Sequence, residues 1–164
     1  KNSVKDRFSE LDLLKDNKFY LSRTRDNSFA LDLSDKKIFF IDTELRESEF
    51  DFNSIIGCEV LIDGNTVSKK STSGTLGRAV IGGAIGGGIG AIVGANTTKS
   101  KETENIESID LKISLKDMNT PFIKINYLDS VKNSTKGDIF YVEAMSEIEK
   151  WHGIFCVILS ENDV

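Results

Sequence analysis

Side chains able to do chemistry are few in this chain. There is one histidine, His152, and there are two cysteines, Cys58 and Cys156. A catalytic histidine needs a nucleophile or an acid at a readable spacing, and none stands near His152, so it reads as structural. The cysteines sit among Ile55, Ile56 and Val60, and among Ile154, Phe155 and Val157, and read as reduced core thiols. One histidine and no Cys-x-x-Cys leave zinc without a ligand set. The most acidic stretch, "DTELRESEFDF", carries Asp42, Glu44, Glu47, Glu49 and Asp51. A metal or a basic partner could use it, but EF-hand spacing is missing and it reads as a solvated loop between strands. No catalytic constellation emerges: the chain is expected not to be an enzyme and to need no cofactor.

The other conspicuous stretch is uncharged. Residues 77–95 read "GRAVIGGAIGGGIGAIVGA". A phosphate-cradling loop would end in Gly-Lys-Ser or Gly-Lys-Thr, and no such lysine follows. A dinucleotide fingerprint finds Gly88 and Gly90, but Val93 stands where its third glycine belongs. A period of four fits better. Gly82, Gly86, Gly90 and Gly94 form one register, and Gly83, Gly87, Ala91 and Ala95 form the next. On a helix these make a smooth stripe, while Ile81, Ile85, Ile89 and Ile92 make a bulky one. Small stripes let backbones approach closely, as in glycine-zipper helices.

Energetics limit that helix. Seven glycines lie between Ala79 and Ala95, so roughly 7 kcal/mol relative to alanine must be recovered from packing. An isolated helix in water is excluded; lipid, a second copy or the body of the domain must supply the contacts. Residues 79–95 as a helix would reach about 26 Å, short of the ~30 Å hydrocarbon core. A shallow hairpin bent at Gly86-Gly87-Gly88 would return the chain to one side. Arg78, Lys99 and Lys101 would then face anionic headgroups. Lys69 and Lys70 would join them if the flanks are neighbours.

The surrounding elements are mostly β. "SVKDRFSELDLLK" opens with Ser3 as a cap and spaces Val4, Phe8, Leu11 and Leu14 for a short helix or arm. "SFALDL", "KIFFID", "SEFDFNSII", "GCEVLIDGN", "SIDLKISL" and "FIKINYL" then alternate apolar and polar residues, with Asp63-Gly64 as a turn. "GDIFYVEAMSEIEKWHGIFCVILSEN" instead spaces Phe140, Ala144, Ile148, Trp151, Phe155 and Ile158 by three and four. That predicts a C-terminal helix of about five turns. Asp138 caps its start. Gly153 inside it predicts close packing or an early helix end. Six or seven short antiparallel strands closed by one helix is a pleckstrin-homology-like (PH-like) architecture.

Length and charge agree with a single domain plus an arm. The chain has 164 residues and a net charge of −5, which argues against a general nucleic-acid binder. The first twenty residues are too charged for a signal peptide. The expected location is the cytoplasm, with peripheral attachment to the inner face of the membrane as the second expectation.

The runs "LDLSDKKIFFID", "FDFNSIIGCEVLIDGNTVSK", "GRAVIGGAIGGGIGAIVGANTTKSK" and "IDLKISLKDMNTPFIKINYL" resemble a group of bacterial and prophage PH-like proteins of the Firmicutes type. The resemblance covers roughly residues 28 to 160, and the glycine ladder is its most specific part. It implies a fold and a shared insert, and no reaction. Relatives often carry an N-terminal zinc ribbon or a C-terminal SHOCT module. Neither is present in this sequence, which starts at Lys1 and is expected to be a trimmed or minimal member.

The reading is therefore a mainly β, PH-like β-roll or barrel with a C-terminal α-helix and a glycine-rich hairpin insert. Residues 1–27 form the N-terminal helix or arm. Residues 28–164 form the PH-like domain, interrupted by the insert at 71–104. The expected function is a non-enzymatic interaction module that self-associates or docks on a membrane through Ile81, Gly82, Ile85, Gly86, Ile89, Gly90, Ile92 and Gly94. Expected partners are a second copy, a membrane surface or a protein, and no nucleic acid. The competing reading is a soluble adaptor that binds a protein or peptide on the β-roll, with the insert only structural.

Overall fold

Alternating apolar residues on either side of Asp32–Lys37 build the first of two sheets in the computed structural model, which describes residues 3–23, 27–72, 105–128, 134–135 and 138–162. That sheet holds β1 (Phe19–Tyr20), β2 (Ser28–Asp32), β3 (Lys37–Ile41) and β4 (Glu47–Asp51) in sequence order, all antiparallel. A single 3-10 turn, Phe52–Ser54, leads to the second sheet. There β5 (Ile55–Ile62), β6 (Asn65–Ser71), β7 (Ile109–Leu115) and β8 (Phe122–Asn126) take the order β6-β5-β7-β8, again antiparallel. No ladder joins the two sheets among the described residues, so they form an open sandwich and not a closed barrel. Phe52 falls in the 3-10 turn and not in a strand, yet it is buried in the core that Phe50 also packs against.

Both faces of β2 are buried. Phe29 and Leu31 face the core between the sheets. Ala30 faces the other way, where it meets Phe8, Leu13 and Ile41. The cover there is α1 (Val4–Glu10), opened by a capping box in which Ser3 and Asp6 satisfy each other's backbone N–H groups. The N-terminal arm is thus a lid over the outside of the first sheet.

The C-terminal helix α2 (Ile139–Asn162) closes the core from the other side. Asp138 caps it by accepting from Phe140 N at 2.9 Å. Its buried stripe is Tyr141, Ala144, Met145, Ile148, Trp151, Phe155, Ile158 and Leu159. Trp151 meets Phe29 edge-on with ring centroids 4.7 Å apart. Phe140 does not belong to this stripe: it is 45% exposed, beside Ile139 and Val142. Ala144, Ile148, Trp151, Phe155 and Ile158 are buried as expected, and only in the first turn does the stripe differ, with Tyr141 buried in place of Phe140.

Gly153 also departs from expectation. The helix runs past it to Asn162, and a Cβ placed on Gly153 meets nothing within 4 Å. Neither close packing nor an early end explains it. Gly153→Ala is expected to stabilise the domain by about 0.5–1 kcal/mol by removing backbone freedom from the unfolded chain. A rise of the urea midpoint at unchanged slope is the check.

Candidate functional site

The glycine ladder joins β6 to β7. Ile81, Gly82, Ile85, Gly86, Ile89, Gly90, Ile92 and Gly94, together with Arg78, Lys99 and Lys101, lie outside the described residues. The anchors on either side are described, and they are specific.

The chain departs at Thr72, whose backbone N–H donates to Ile56 O at 3.0 Å and whose hydroxyl donates to the same carbonyl at 3.4 Å. It returns through Ile106, which bridges Ser134 with an N–H···O bond of 2.8 Å. Asp63 then holds the return: one carboxylate oxygen accepts from Glu107 N at 2.8 Å and from Ser108 N at 2.9 Å. Asp63 and Gly64 both have positive φ, 48° and 77°, as the expected tight turn requires. The turn was legible in the sequence; the clamp was not. An aspartate in a turn offers no sign that its carboxylate also holds the segment entering β7, more than forty positions away.

Strand order fixes the relation of the anchors. β6 and β7 flank β5 and both run antiparallel to it, so they are parallel to each other and their connection is a crossover. Both anchors belong to one sheet, and a single membrane crossing between them would put the two ends of that sheet's connection on opposite sides of a bilayer. They sit at opposite ends of β5, however: Thr72 at Ile56, and Ser108 at Asp63. The separation along the strand is roughly 20 Å at the usual rise. The described flanks therefore do not meet at one base. Nor do Lys69 and Lys70 cluster. Lys69 pairs with Glu59 at 3.0 Å, whereas Lys70 donates to Ser160 of α2 at 2.8 Å.

The acidic stretch is a set of ion pairs. Asp42 accepts from Glu44 N and Arg46 N at 2.8 and 2.9 Å and from the Arg46 guanidinium at 2.6 Å. Burial raises the Asp42 carboxyl, but the Arg46 and Glu44 N–H groups and the Arg46 charge outweigh it and hold the group below its usual value. Glu47 pairs with Arg7, and Glu49 with Lys37. No group of three potential metal ligands occurs among the described residues.

Cys58 is buried and Cys156 half-buried, both as free thiols. Burial raises both thiol pKa values, away from the reactive thiolate. His152, on α2, faces β6, with Nε2 3.5 Å from Ser68 Oγ and its ring 3.8 Å from Cys156 Sγ. Burial lowers the His152 pKa. The sign follows: folding favours the neutral ring, so its contribution is complete above the unfolded value of about 6.5. It is lost as pH falls through the depressed folded value. Urea midpoints at pH 7.5 and 5.5 are expected to differ less in His152→Gln than in the wild type.

A groove of about 660 Å³ opens between the edges of the two sheets, lined by Phe40, Ser48, Ile123 and Phe122 among others. No described helix is long and apolar enough to cross a membrane.

The sequence matches the family described as "Glycine zipper containing PH domain" over residues 17–129, a range that holds both sheets and the glycine ladder. An "Immunity protein" of Bacillus phage SPbeta is 30% identical over 127 residues, covering 73% of this chain and 61% of the relative. The "SPbeta prophage-derived uncharacterized membrane protein YomJ" of Bacillus subtilis (strain 168) is also 30% identical over 127 residues, covering 73% of this chain and 54% of the relative. This chain thus spans less than two thirds of either relative. No solved structure matches it significantly. Two packed antiparallel sheets, with the ladder between two strands of the second, are what this family match covers, and the chain belongs to the family of glycine-zipper-containing PH domains.

Proposed function

We propose that this chain is a phage or prophage accessory protein with an immunity role, acting without catalysis by self-association and membrane docking through residues 79–95. The observation that carries this reading is the ladder itself. It keeps uncharged residues from Ala79 to Ala95 in an acidic chain, on a crossover anchored at both ends in one sheet. The names of the two relatives, one an immunity protein and the other a membrane protein, support it. Lipid or a second copy would cover the isoleucines that water disfavours. The test is to produce the chain in a phage-sensitive Bacillus host. Membrane-fraction recovery and reduced plaque formation are expected, both lost when residues 79–95 are replaced by a short Gly-Ser turn. Plaque counts unchanged by producing the wild type would remove the immunity role.

A second reading rests on the groove between the sheets. Phe40, Phe122 and Ile123 line it among polar and charged side chains, and the edge strands β4 and β8 contribute to its walls. An extended peptide adding to a free strand edge would make the chain a soluble adaptor. Peptide capture that survives replacement of the ladder would favour it.

A further inference from the structure

The outward face of the second sheet is ordered by its register. One row across the strands is Lys69, Glu59, Lys112 and Lys124. The next row, towards the β7–β8 turn, is Ser71, Gly57, Ser114 and Phe122. Lys116 and the turn carrying Met118 follow. Two large apolar side chains project here: Met118 is fully exposed and Phe122 is 52% exposed. Its row neighbours Ser71, Gly57 and Ser114 are all small. Lys112 Nζ lies 5.2 Å from the centroid of that ring.

The charges are layered. Glu59 and Asp110 lie low, with side chains 11% and 4% exposed, while their partners Lys69 and Lys124 are 42% and 54% exposed. Burial raises the Glu59 pKa, but the Lys69 hydrogen bond, the Lys112 and Lys69 charges and the Thr66 hydroxyl bring it below its usual value, so the carboxylate is ionised. Lys112 and Lys116 make no ion pair among the described residues. Asp117, between Lys116 and Met118, accepts from Asn119 N and Thr120 N at 2.8 and 2.7 Å. The face thus sets Lys69, Lys112, Lys116 and Lys124 against Glu59, Asp110 and Asp117 and is net positive, in a protein of net charge −5. The edge strand β4 of the other sheet carries Glu47, Glu49 and Asp51 instead.

We propose that this face, through Lys112, Lys116, Met118 and Phe122, is a contact surface for an anionic lipid bilayer. The proposal rests on the membrane reading of the ladder and extends it to a second, independent contact. Charge complementarity selects the occupant: long lysine stems present ammonium groups to phosphate while the two apolar side chains enter the interface. Position agrees. Thr72, where the chain departs towards the ladder, is bonded to Ile56 O at this end of the sheet, and Lys116 N is bonded to the adjacent Ser54 O at 2.7 Å.

The test is vesicle flotation with the full chain, using phosphatidylcholine vesicles with and without phosphatidylglycerol. Wild type is expected to prefer phosphatidylglycerol and to be released by salt. Each Lys→Gln change at 112 and 116 is expected to weaken binding about fivefold, and the pair roughly thirtyfold. Met118→Ser with Phe122→Ser is expected to weaken it about tenfold or more. Lys116→Gln with Met118→Ser changes only exposed side chains, so a folded protein carries the test if Lys112→Gln perturbs β7. A chain whose residues 79–95 are replaced should keep a weaker, salt-sensitive preference for phosphatidylglycerol. Two results overturn the proposal while leaving the ladder reading intact: binding unchanged by these substitutions but abolished by the replacement, or equal binding to both vesicle types. No binding by the wild type overturns both.

Discussion

Trp151→Ala is expected to destabilise the domain by about 3–5 kcal/mol, a large share of the roughly 5–15 kcal/mol that a folded domain has in total. Trp151 is fully buried on α2 and packs edge-on against Phe29, which itself packs against Phe40 and Phe155. Its indole N–H donates to Glu147 at 3.3 Å, so truncation also leaves that carboxylate short of a donor. The sheets alone form an open sandwich, and this ring joins the helix to the first sheet. Thermal or urea unfolding measures the effect. Trp151→Phe should recover part of it. A loss below 1 kcal/mol for the alanine variant would mean that α2 is not the closing element.

The second large effect concerns the ladder. Ile85→Asp with Ile89→Asp is expected to abolish assembly and to reduce vesicle binding to the weaker, salt-sensitive level of the ladder-replaced chain, while leaving the fold of the sheets intact. Two carboxylates in an apolar contact cost several kcal/mol each when desolvated. Gly86→Leu with Gly90→Leu asks a different question. It preserves apolar character but fills the smooth stripe, so close helix approach is lost while partitioning into lipid is not. Assembly should fall in both variants. Vesicle binding should fall only in the aspartate variant. Analytical ultracentrifugation and flotation of the same preparations separate the two.

Much of the fold was legible because alternation reports faces. "SIDLKISL" placed Ile109, Leu111, Ile113 and Leu115 on one side, and all four are buried. The same pattern does not report neighbours. Nothing in the spacing shows that β6 and β7 flank β5, and so nothing warned that the ladder's anchors lie at opposite ends of a strand. Helical spacing of three and four also tolerates a shift by one residue, which is how Phe140 was read as core in place of Tyr141. Gly153 shows a different limit: propensity records its cost but not whether a neighbour accounts for it.

The candidate surfaces divide the same way. Ile81 to Gly94 were visible from composition and period alone. The lysine face was not, because Lys69, Glu59, Lys112 and Lys124 become a row only when four strands are in register. One signal was available. In "FIKINYL", alternation puts Phe122 with Lys124 and Asn126 on the polar side, an aromatic ring where solvent was expected. The Asp63 clamp had no counterpart signal.

Light scattering coupled to size-exclusion chromatography, run on the full chain and on a chain with residues 79–95 replaced by a short Gly-Ser turn, tests the central claim most directly. The ladder reading predicts an assembly that becomes a folded monomer on replacement, with vesicle binding falling in parallel. Two identical monomers that bind vesicles equally well, or not at all, would contradict it.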